Sequence, residues 1–429
     1  MGKVIRFAGI LAGVVIASAW TSAFAQTGDC FNQLPGCLDG SFGVNGKVTA
    51  PSGMKVNDVA IQIVGGEERI VAVGMMSATK RTPASWVVVR YLPNGNLDPA
   101  FGSGGIVKMT PKSGFYEAGA VVVQPDNKLV VVGYGYYSSK QDLPIVARYN
   151  ENGSPDSTFG SGGRVFVLCV ANSKISGAAA AVTLQAGGKI LITGQFGWIA
   201  NRRLFVCRLN ANGLLDTTFN GTGQYMLSNA IGDGSGIATQ WIGQEEHIVV
   251  AGSLVYGPYY STYSKAAVLR FRSSGQLDTS FNGSGIVLND LEPGNNYAAA
   301  VAVDSSNRLI ALISGGLACF DVSGTLDPTF GASGIAVSQH GGFGPDFAIQ
   351  ADQKILVSGR FEESYLAVQR FDANGVADLS FGFNGWVTTD FEAYYPGGKI
   401  AVQSDGKFVV AASVEGNPAV ARFWYLPPQ

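Results

Sequence analysis

The most regularly spaced ionisable residue of the chain is an aspartate that recurs seven times within one phrase. The first copy reads LDGSFGVNGKV from Leu38, and in every copy a Phe follows the aspartate after three residues and a Gly after seven. Repeated carboxylates suggest cation binding, but Ca²⁺ requires about six to eight oxygens around one ion, and each copy is a whole repeat away from the next. We therefore predict that each aspartate caps a turn. The seven are Asp39, Asp98, Asp156, Asp216, Asp278, Asp327 and Asp378.

Six arginines have the spacing to form ion pairs with these aspartates. Arg90 precedes Asp98 by eight residues, and Arg370 precedes Asp378 by the same distance. An Arg–carboxylate pair shielded from water contributes specificity of structure more than net stability. The alternative is that each arginine only covers apolar neighbours with its aliphatic stem. The six are Arg90, Arg148, Arg208, Arg270, Arg370 and Arg422, and Cys319 stands in this place in the fifth repeat.

The chain has only two histidines, so few residues are available for catalysis or metal binding by histidine. His247 stands at the start of a strand pattern where other repeats carry Lys or Arg, which predicts a surface residue. His340 lies in a loop pattern beside two glycines, and no serine or cysteine phrase with the character of a nucleophile elbow accompanies it. We expect no catalytic triad, no metal site and no cofactor.

The side chains best suited to binding are aromatic residues in the variable loops of the repeats. Loops on a rigid scaffold commonly carry function, and Tyr and Trp bring a large contact area with a polar group at its edge. The alternative is that these rings pack on one another and stiffen the loops. The candidate ligand-binding residues are Tyr116, Tyr136, Tyr137, Trp198, Tyr256, Tyr259, Tyr260, Tyr297, Tyr394 and Tyr395.

Acidic residues in the same loops leave an enzyme as the alternative. Two carboxyl groups near one opening are what a glycoside hydrolase needs, but nothing in the sequence fixes the spacing of these acids. The acids are Asp233, Asp290, Glu292, Asp346 and Glu392.

Four segments with strand character make up each repeat. The first is rich in small and β-branched residues, as in AGAVVV from Ala118, and a polar turn such as QPDNK from Gln124 follows it. Asp-Asn and Asp-Gly suit tight hairpin turns. A second apolar run such as KILITG from Lys189 and a third such as PIVARY from Pro144 precede the phrase, which ends in a short fourth strand. Four strands recurring at about 50 to 60 residues predict an all-β fold, a seven-bladed β-propeller with four antiparallel strands per blade.

The order of strands within a blade follows from side-chain size. Blades converge at the axis, where small residues fit, so we place the Ala-rich segment innermost and the Gly-x-Val strand outermost. The first outer strand, residues 46–50, has no blade before it, and the last blade ends after its third strand, residues 419–423. We predict that these two segments pair and close the ring, which removes open sheet edges.

The repeats resemble those of the delta-60 repeat family of bacterial exported proteins. The resemblance rests on LDxSFGxxGxV, on QxDGK followed by an apolar run, and on ARY or ARF, and it extends from Leu38 to Phe423. It implies a propeller fold and carries no established general activity. Cys319 departs from the family pattern, as do Asn220 and Asn282, which replace the Gly after Phe.

The N-terminus has the character of a secretory signal peptide. Lys3 and Arg6 precede an apolar run that ends at Trp20, and Ala23-Phe24-Ala25 supplies a cleavage site, so we expect residues 1–25 to be removed and residues 26–429 to form a single domain. The exported chain would reside in the periplasm or outside the cell, without insertion in a membrane. In that compartment Cys30 and Cys37 either form a disulfide or remain thiols.

Composition narrows the functional classes. The net charge of −2 offers no basic surface for nucleic acid, and charged residues are only 14% of the chain against about 25% in average soluble domains. We expect a monomeric binding module whose partner is a protein or a glycan. The alternatives are a carbohydrate-active hydrolase or lyase and a purely structural surface component.

Overall fold

The structure is a computed structural model, and it describes residues 36–424 apart from ten short gaps. The gaps are residues 139–140, 169–174, 198–201, 229, 256–262, 290–295, 339–340, 362–364, 393–397 and 415–416. Within the described part the chain forms 28 β-strands and one short 3₁₀ turn at Ala186–Gly188. The strands make seven sheets of four, so the protein is an all-β, seven-bladed propeller as predicted.

The first strand of the chain, β1 (Lys47–Thr49), belongs to the last blade. Blade 1 consists of β2 (Met54–Val64), β3 (Glu67–Met76), β4 (Ser85–Tyr91) and β5 (Ile106–Met109). Blade 2 consists of β6 (Tyr116–Val123), β7 (Leu129–Ser138), β8 (Gln141–Tyr149) and β9 (Arg164–Phe166). Blade 3 consists of β10 (Gly177–Gln185), β11 (Lys189–Phe196), β12 (Arg203–Leu209) and β13 (Gln224–Met226).

The remaining blades repeat this arrangement. Blade 4 consists of β14 (Ile231–Ile242), β15 (Glu245–Val255), β16 (Ser264–Phe271) and β17 (Ile286–Asn289). Blade 5 consists of β18 (Ala298–Val303), β19 (Leu309–Ile313), β20 (Gly316–Phe320) and β21 (Ile335–Ala336). Blade 6 consists of β22 (Gly341–Ile349), β23 (Ile355–Phe361), β24 (Tyr365–Phe371) and β25 (Trp386–Glu392). Blade 7 consists of β26 (Lys399–Val402), β27 (Phe408–Val414), β28 (Asn417–Phe423) and β1.

Ring closure occurs where the sequence predicts it. In blade 7 the strand order is β26, β27, β28 and β1, and β1 pairs antiparallel with β28 through Lys47 opposite Ala421 and Thr49 opposite Ala419. The amide of Arg422 also donates to the carbonyl of Gly46 at 2.9 Å. Within each other blade the strands pair in chain order, so turns alternate between two faces of the disc.

The hydrophobic core lies between neighbouring blades. One cluster joins Val71, Val73 and Trp86 of blade 1 to Val121 and Val131 of blade 2. The second and third strands are buried on both faces, which explains why their sequences are continuous apolar runs without alternation. Burial of each such side chain stabilises the fold by about 1.5–3 kcal/mol before entropy is counted.

A β-bulge interrupts the inner strand at the same level in six blades. In β6 the register shifts between Ala118 and Ala120, and in β14 it shifts between Gly234 and Gly236. The bulge brings a carbonyl close to the second strand, where a glycine is required: a Cβ on Gly252 would lie 1.9 Å from the oxygen of Asp233. The glycine that ends runs such as KILITG is thereby explained.

Candidate functional site

The repeated aspartates and arginines lie on the face that carries the 1–2 and 3–4 turns, which we call the turn face. All six expected pairs are present, with each arginine Nε donating to an aspartate Oδ2 at 2.7 or 2.8 Å. The other carboxylate oxygen accepts bonds from the residue two positions on, as in Asp156 with the amide of Thr158 at 3.0 Å. Each aspartate thus holds its own turn and its arginine together.

The same arginines also tie neighbouring blades. Arg208 Nη1 donates to the carbonyl of Ser273 at 2.6 Å, and Arg270 Nη1 donates to the carbonyl of Val322 at 2.6 Å. Each of these carbonyls belongs to the next blade, three residues after the position of its third-strand arginine. Arg422 reaches Pro93 of blade 1 at 2.6 Å, so the contact continues across ring closure. The network belongs to the scaffold.

Sequence reasoning missed a second basic side chain at the aspartate in six of the seven blades. Lys189 Nζ lies 2.8 Å from Asp216 Oδ2, and Lys354 Nζ lies 2.9 Å from Asp378 Oδ2. Burial opposes the charged form of Asp216, but hydrogen bonds from Lys189 and Thr218 and the charge of Arg208 outweigh it and lower its pKa to about 2. The recurring Lys at the end of QxDGK was the available signal.

The predicted surface position of His247 is wrong. Its side chain is buried, and Nε2 lies 3.3 Å from Asp278 Oδ2. His247 occupies the second-cation position of blade 4, where the side chain turns inward to the aspartate and does not extend into water. His340 lies outside the described residues.

Blade 5 reaches the same result with different residues. Cys319 replaces the usual arginine and Asp304 replaces the usual glutamine at the end of the inner strand. Arg308, at the second-cation position, donates to Asp304 Oδ2 at 2.7 Å, to Asp327 Oδ2 at 3.0 Å and to the carbonyl of Ala373 at 2.7 Å. The single guanidinium of Arg308 therefore makes the contacts that two basic side chains share in the other blades.

The opposite face carries the 2–3 loops and the crossings between blades, and we call it the variable face. Tyr137 is 50% exposed, with its ring 5.2 Å from that of Phe166, and Tyr297 is 46% exposed. Tyr136 is half-buried, whereas Tyr116 is buried and packs on Phe166. The other candidates lie outside the described residues: Trp198, Tyr256, Tyr259, Tyr260, Tyr394 and Tyr395.

Polar groups surround the start of the inner strands on the variable face. Glu117 accepts bonds from Lys55 Nζ and Asn57 Nδ2, each at 3.0 Å, and from Tyr134 Oη at 3.1 Å. Burial and the neighbouring Glu117 raise the pKa of Tyr134 to about 12. Asp233 of blade 4 accepts from Ser253 Oγ at 3.0 Å. These side chains form a mixed polar rim on the face that also carries the exposed tyrosines.

Of the acids named from the sequence, Asp233 lies on this rim and Arg202 Nη1 approaches it at 3.1 Å. Asp290 and Glu292 lie outside the described residues, and Glu392 is described only as the last residue of β25. Asp346 lies deeper, on inner strand β22. The structure therefore separates the acids into a rim and an axial group.

The axial group occupies the inner-strand position four residues before the glutamine that ends the strand. A Cβ on Gly236 would lie 2.9 Å from Cα of Ala300, so this position faces the equivalent residue of the next blade. Three consecutive blades, 6, 7 and 1, carry charge here, and the other four carry Ala or Gly. The seven residues are Asp346, Lys399, Asp58, Ala120, Ala181, Gly236 and Ala300.

The two axial carboxylates accept backbone hydrogen bonds from the next blade. Asp58 Oδ2 accepts from the amide of Val121 at 2.8 Å, and Asp346 Oδ2 accepts from that of Ile400 at 3.0 Å. Burial raises the pKa of Asp58 to about 6; the charge of Lys399 opposes this rise and that of Asp346 adds to it. Burial also raises the pKa of Asp346.

Other expectations concern cysteines, metals and membranes. Cys37 is disulfide-bonded, while Cys30 lies outside the described residues, and Cys207 and Cys319 are buried thiols. Among the residues that the structure describes, no group of three or more His, Cys, Asp or Glu side chains is arranged to hold a metal ion. In the same part of the chain, no helix is long and apolar enough to cross a bilayer.

Comparison with known proteins agrees with the repeat structure. The model of the family described as "Domain of unknown function (DUF5122) beta-propeller" matches five segments, residues 69–101, 124–159, 185–219, 247–281 and 350–381. The segments run from the second strand of a blade through its LDxxF phrase. Among curated proteins none matches significantly.

Solved structures with a similar arrangement share little sequence with this chain. The beta-propeller domain of the Trilobed protease from Pyrococcus furiosus is 11% identical, with 87% of this chain and 94% of that chain covered and a TM-score of 0.44. A protein of unknown function from Dyadobacter fermentans is 9% identical, with coverage of 88% and 98% and a TM-score of 0.45. We draw no functional argument from these likenesses. The chain is a seven-bladed β-propeller, and five segments of it are similar to the model of a β-propeller family of unknown function.

Proposed function

We propose that this protein is a binding module that takes its ligand at the variable face. The observation that carries the proposal is the pair of half-exposed tyrosines on that face, Tyr137 in blade 2 and Tyr297 in blade 5. Both are attached to a rigid sheet framework, so they bring contact area at a small entropic cost. A loop surface on a fixed scaffold is the usual place for recognition.

The rim chemistry favours a polar ligand, either a glycan or a protein segment. Sugars and peptides both offer apolar faces for aromatic rings together with many hydrogen-bonding groups. Glu117, Lys55 and Asp233 supply acceptors and donors of both charge signs on the same face as the tyrosines. A rim of mixed charge does not select for a strongly charged polymer.

We further propose that the protein is exported after removal of residues 1–25, and that its repeats are those of the delta-60 family. The basic residues, apolar run and Ala-Phe-Ala ending of the N-terminus support export. N-terminal sequencing of the protein purified from a bacterial periplasm or medium should begin at Gln26. An intact Met1 in the purified protein contradicts export by this route.

Binding is tested on glycan and peptide arrays with the full-length product and two variants. The double variant Tyr137→Ala/Tyr297→Ala should lose about tenfold or more in affinity, because aromatic side chains that a ligand covers on binding dominate recognition. Trp241→Ala is the matched control, since Trp241 is 52% exposed but lies on the turn face. Equal loss in both variants, or no loss in the double variant, contradicts the assignment of the face.

A second candidate function, a carbohydrate-active hydrolase, is favoured by one observation. Asp58 and Asp346 both have a raised pKa, as a general acid requires. We place this candidate second because both oxygens of Asp58 already accept backbone amides, from Val59 at 2.9 Å and Val121 at 2.8 Å. Release of reducing sugar from a polysaccharide panel, abolished in Asp58→Asn, would reverse this ranking.

A further inference from the structure

Exposed basic side chains are concentrated at one end of blade 1. Among the residues that the structure describes, six Lys and Arg side chains are exposed, and five of them lie in blade 1 or in the crossing from it to blade 2. The five are Lys55, Lys80, Arg81, Lys108 and Lys112, and the sixth is Arg272 on the turn face. Because the whole chain has a net charge of −2, this concentration is a local feature of the molecule.

Four of these side chains form a surface that we call the basic patch. Lys80 and Arg81 lie in the loop between β3 and β4, Lys108 lies in β5, and Lys112 lies in the crossing that follows β5. The loop and the crossing both belong to the variable face. Lys55 is not counted with them, because its Nζ lies 3.0 Å from Glu117 Oε1.

The loop that carries Lys80 and Arg81 has a defined shape. Thr79 Oγ1 accepts hydrogen bonds from the amides of Arg81 at 3.2 Å and of Thr82 at 3.1 Å, and the Thr79 amide donates to the carbonyl of Thr82 at 2.9 Å. Lys80 and Arg81 are therefore the two central residues of a tight turn. The turn presents two adjacent positive charges at a fixed place.

The two halves of the basic patch are held together by a contact between side chains. Ser85 Oγ, at the end of the loop, lies 2.9 Å from Thr110 Oγ1. Thr110 stands midway between Lys108 and Lys112, and exposed and less exposed residues alternate from 108 to 112. Both lysines are thus on the outward side of their segment, and the four charges share one end of the blade.

Acidic side chains do not compensate the basic patch. Asp98 is the one acid of the sequence between residues 70 and 116, and it lies on the turn face, where it is bonded to Arg90. Asp58 lies deeper on β2 and accepts backbone amides, and Glu117 is bonded to Lys55. The basic patch therefore has an uncompensated positive charge within the described part of the chain.

We propose that the basic patch binds an acidic polysaccharide. Clustered charges of one sign attract a polyanion over a distance of several ångströms and raise its rate of association. Lysine suits a flexible polymer, because its ammonium is a point charge on a mobile stem and does not demand one geometry. The proposal adds a second binding surface to the variable face and does not rest on the exposed tyrosines.

The composition of the patch favours a polysaccharide over a protein. Protein interfaces are depleted in Lys and are anchored by aromatic or other large side chains. Between residues 64 and 136, the one large apolar side chain that the structure describes as exposed is Leu97, which lies on the turn face. A polymer that repeats its anionic groups along a polar chain can be held by charge without such an anchor.

The test is binding of the purified full-length chain to polygalacturonate, with neutral dextran as the reference polymer. The wild type should bind polygalacturonate and not dextran, and raising NaCl from about 50 mM to about 300 mM should weaken binding about tenfold or more, because salt screens exposed charges. Lys108→Gln/Lys112→Gln should weaken binding about tenfold at the lower salt concentration. No binding to polygalacturonate, or equal binding to dextran, overturns the proposal.

A control of equal charge separates the patch from the net charge of the protein. Lys128→Gln/Arg272→Gln removes two positive charges from the turn face and should bind polygalacturonate as the wild type does. Equal loss in this variant and in Lys108→Gln/Lys112→Gln contradicts a local site.

A second patch variant guards against a folding defect in the first. Lys80→Gln/Arg81→Gln changes a separate segment and should also weaken binding, while both patch variants melt within about 2 °C of the wild type, since exposed substitutions change stability little. Retention of full affinity by both patch variants overturns the proposal.

Further probes separate this surface from other partners and from the tyrosines. Stronger binding to poly-glutamate, duplex DNA or phosphatidylglycerol vesicles than to polygalacturonate assigns the patch to another class of partner and overturns the proposal. Tyr137→Ala/Tyr297→Ala should bind polygalacturonate as the wild type does. A loss in that variant would show one shared site and would contradict a second surface.

Discussion

At the scale of single residues, each blade except blade 5 has one aspartate on the turn face that is contacted by two basic side chains. In blade 1, Nε of the third-strand Arg90 lies 2.8 Å from Asp98 Oδ2, and Nε of Arg69 lies 3.4 Å from the same oxygen. Removing one cation from a blade that has both leaves the carboxylate compensated. Removing the sole cation leaves a shielded negative charge, which costs far more.

Blade 5 makes this difference measurable, because Cys319 replaces the third-strand arginine and Arg308 is the one cation bonded to Asp327. We expect Arg308→Ala to lower the free energy of unfolding by about 2–3 kcal/mol, since Asp304 and Asp327 both lose their partner. Lys128→Ala, at the same position of blade 2, should cost about 1 kcal/mol or less because Arg148 still holds Asp156. Equal losses in chemical denaturation would contradict this assignment of roles.

The residue scale also shows where sequence reasoning succeeds and fails. The eight-residue spacing between Arg90 and Asp98 predicts their pairing, because a third strand and the following turn are local in the chain. The inward turn of His247 was not predicted, since its partner Asp278 lies 31 residues away and the pairing depends on how β15 and the 3–4 turn stack. The available signal was that the other repeats carry Lys or Arg at the position of His247.

At the scale of the strand, the bulge found in six of the inner strands decides which of their residues face the next blade. It places Lys55, Asn57 and Asp58 of β2 toward blade 2, where Lys55 and Asn57 reach Glu117 and Asp58 reaches the Val121 amide. A strict two-residue alternation would have turned one of these side chains away. The bulge is therefore part of both the rim and the axial group.

The glycine opposite the bulge should tolerate no side chain. Gly252→Ala places a Cβ 1.9 Å from the Asp233 carbonyl oxygen, and we expect a loss of about 3 kcal/mol in the free energy of unfolding. Gly40→Ala is the control, because nothing lies within 4 Å of the added Cβ. Urea denaturation of both variants checks this, and an unchanged midpoint for Gly252→Ala would show that the bulge is absent.

The axial group could not be predicted from sequence reasoning on single repeats. Asp58 is separated in sequence by hundreds of residues from Asp346 and Lys399. Their common level in the ring is visible only because each precedes the glutamine that ends its inner strand by the same number of residues. These glutamines are Gln62, Gln350 and Gln403. That alignment becomes visible once the inner strand is known to end at the glutamine. Their coupling also requires blades 6, 7 and 1 to be neighbours, which is a property of the closed ring.

At the scale of the whole molecule, seven repeats and one borrowed strand account for the architecture. The number of blades and the pairing of β1 with β28 were predictable, because the number of repeats and the absence of a fourth strand from the last repeat can both be read from the sequence. The division of the disc into a regular turn face and a variable face follows from up-and-down strand order. The ligand could not be predicted, since the variable loops carry no repeating pattern.

Ring closure by β1 is the claim on which the two faces, the rim and the axial group depend, and a cross-link tests it directly. Lys47 and Ala421 lie opposite each other in the β1–β28 ladder. Lys47→Cys/Ala421→Cys should form a disulfide on mild oxidation, identified by mass spectrometry of the linked peptides, and should raise the melting temperature. Lys47→Cys/Ala367→Cys, which pairs β1 with the third strand of blade 6, should form none. A cross-link in the second variant and none in the first would contradict the closed seven-bladed ring.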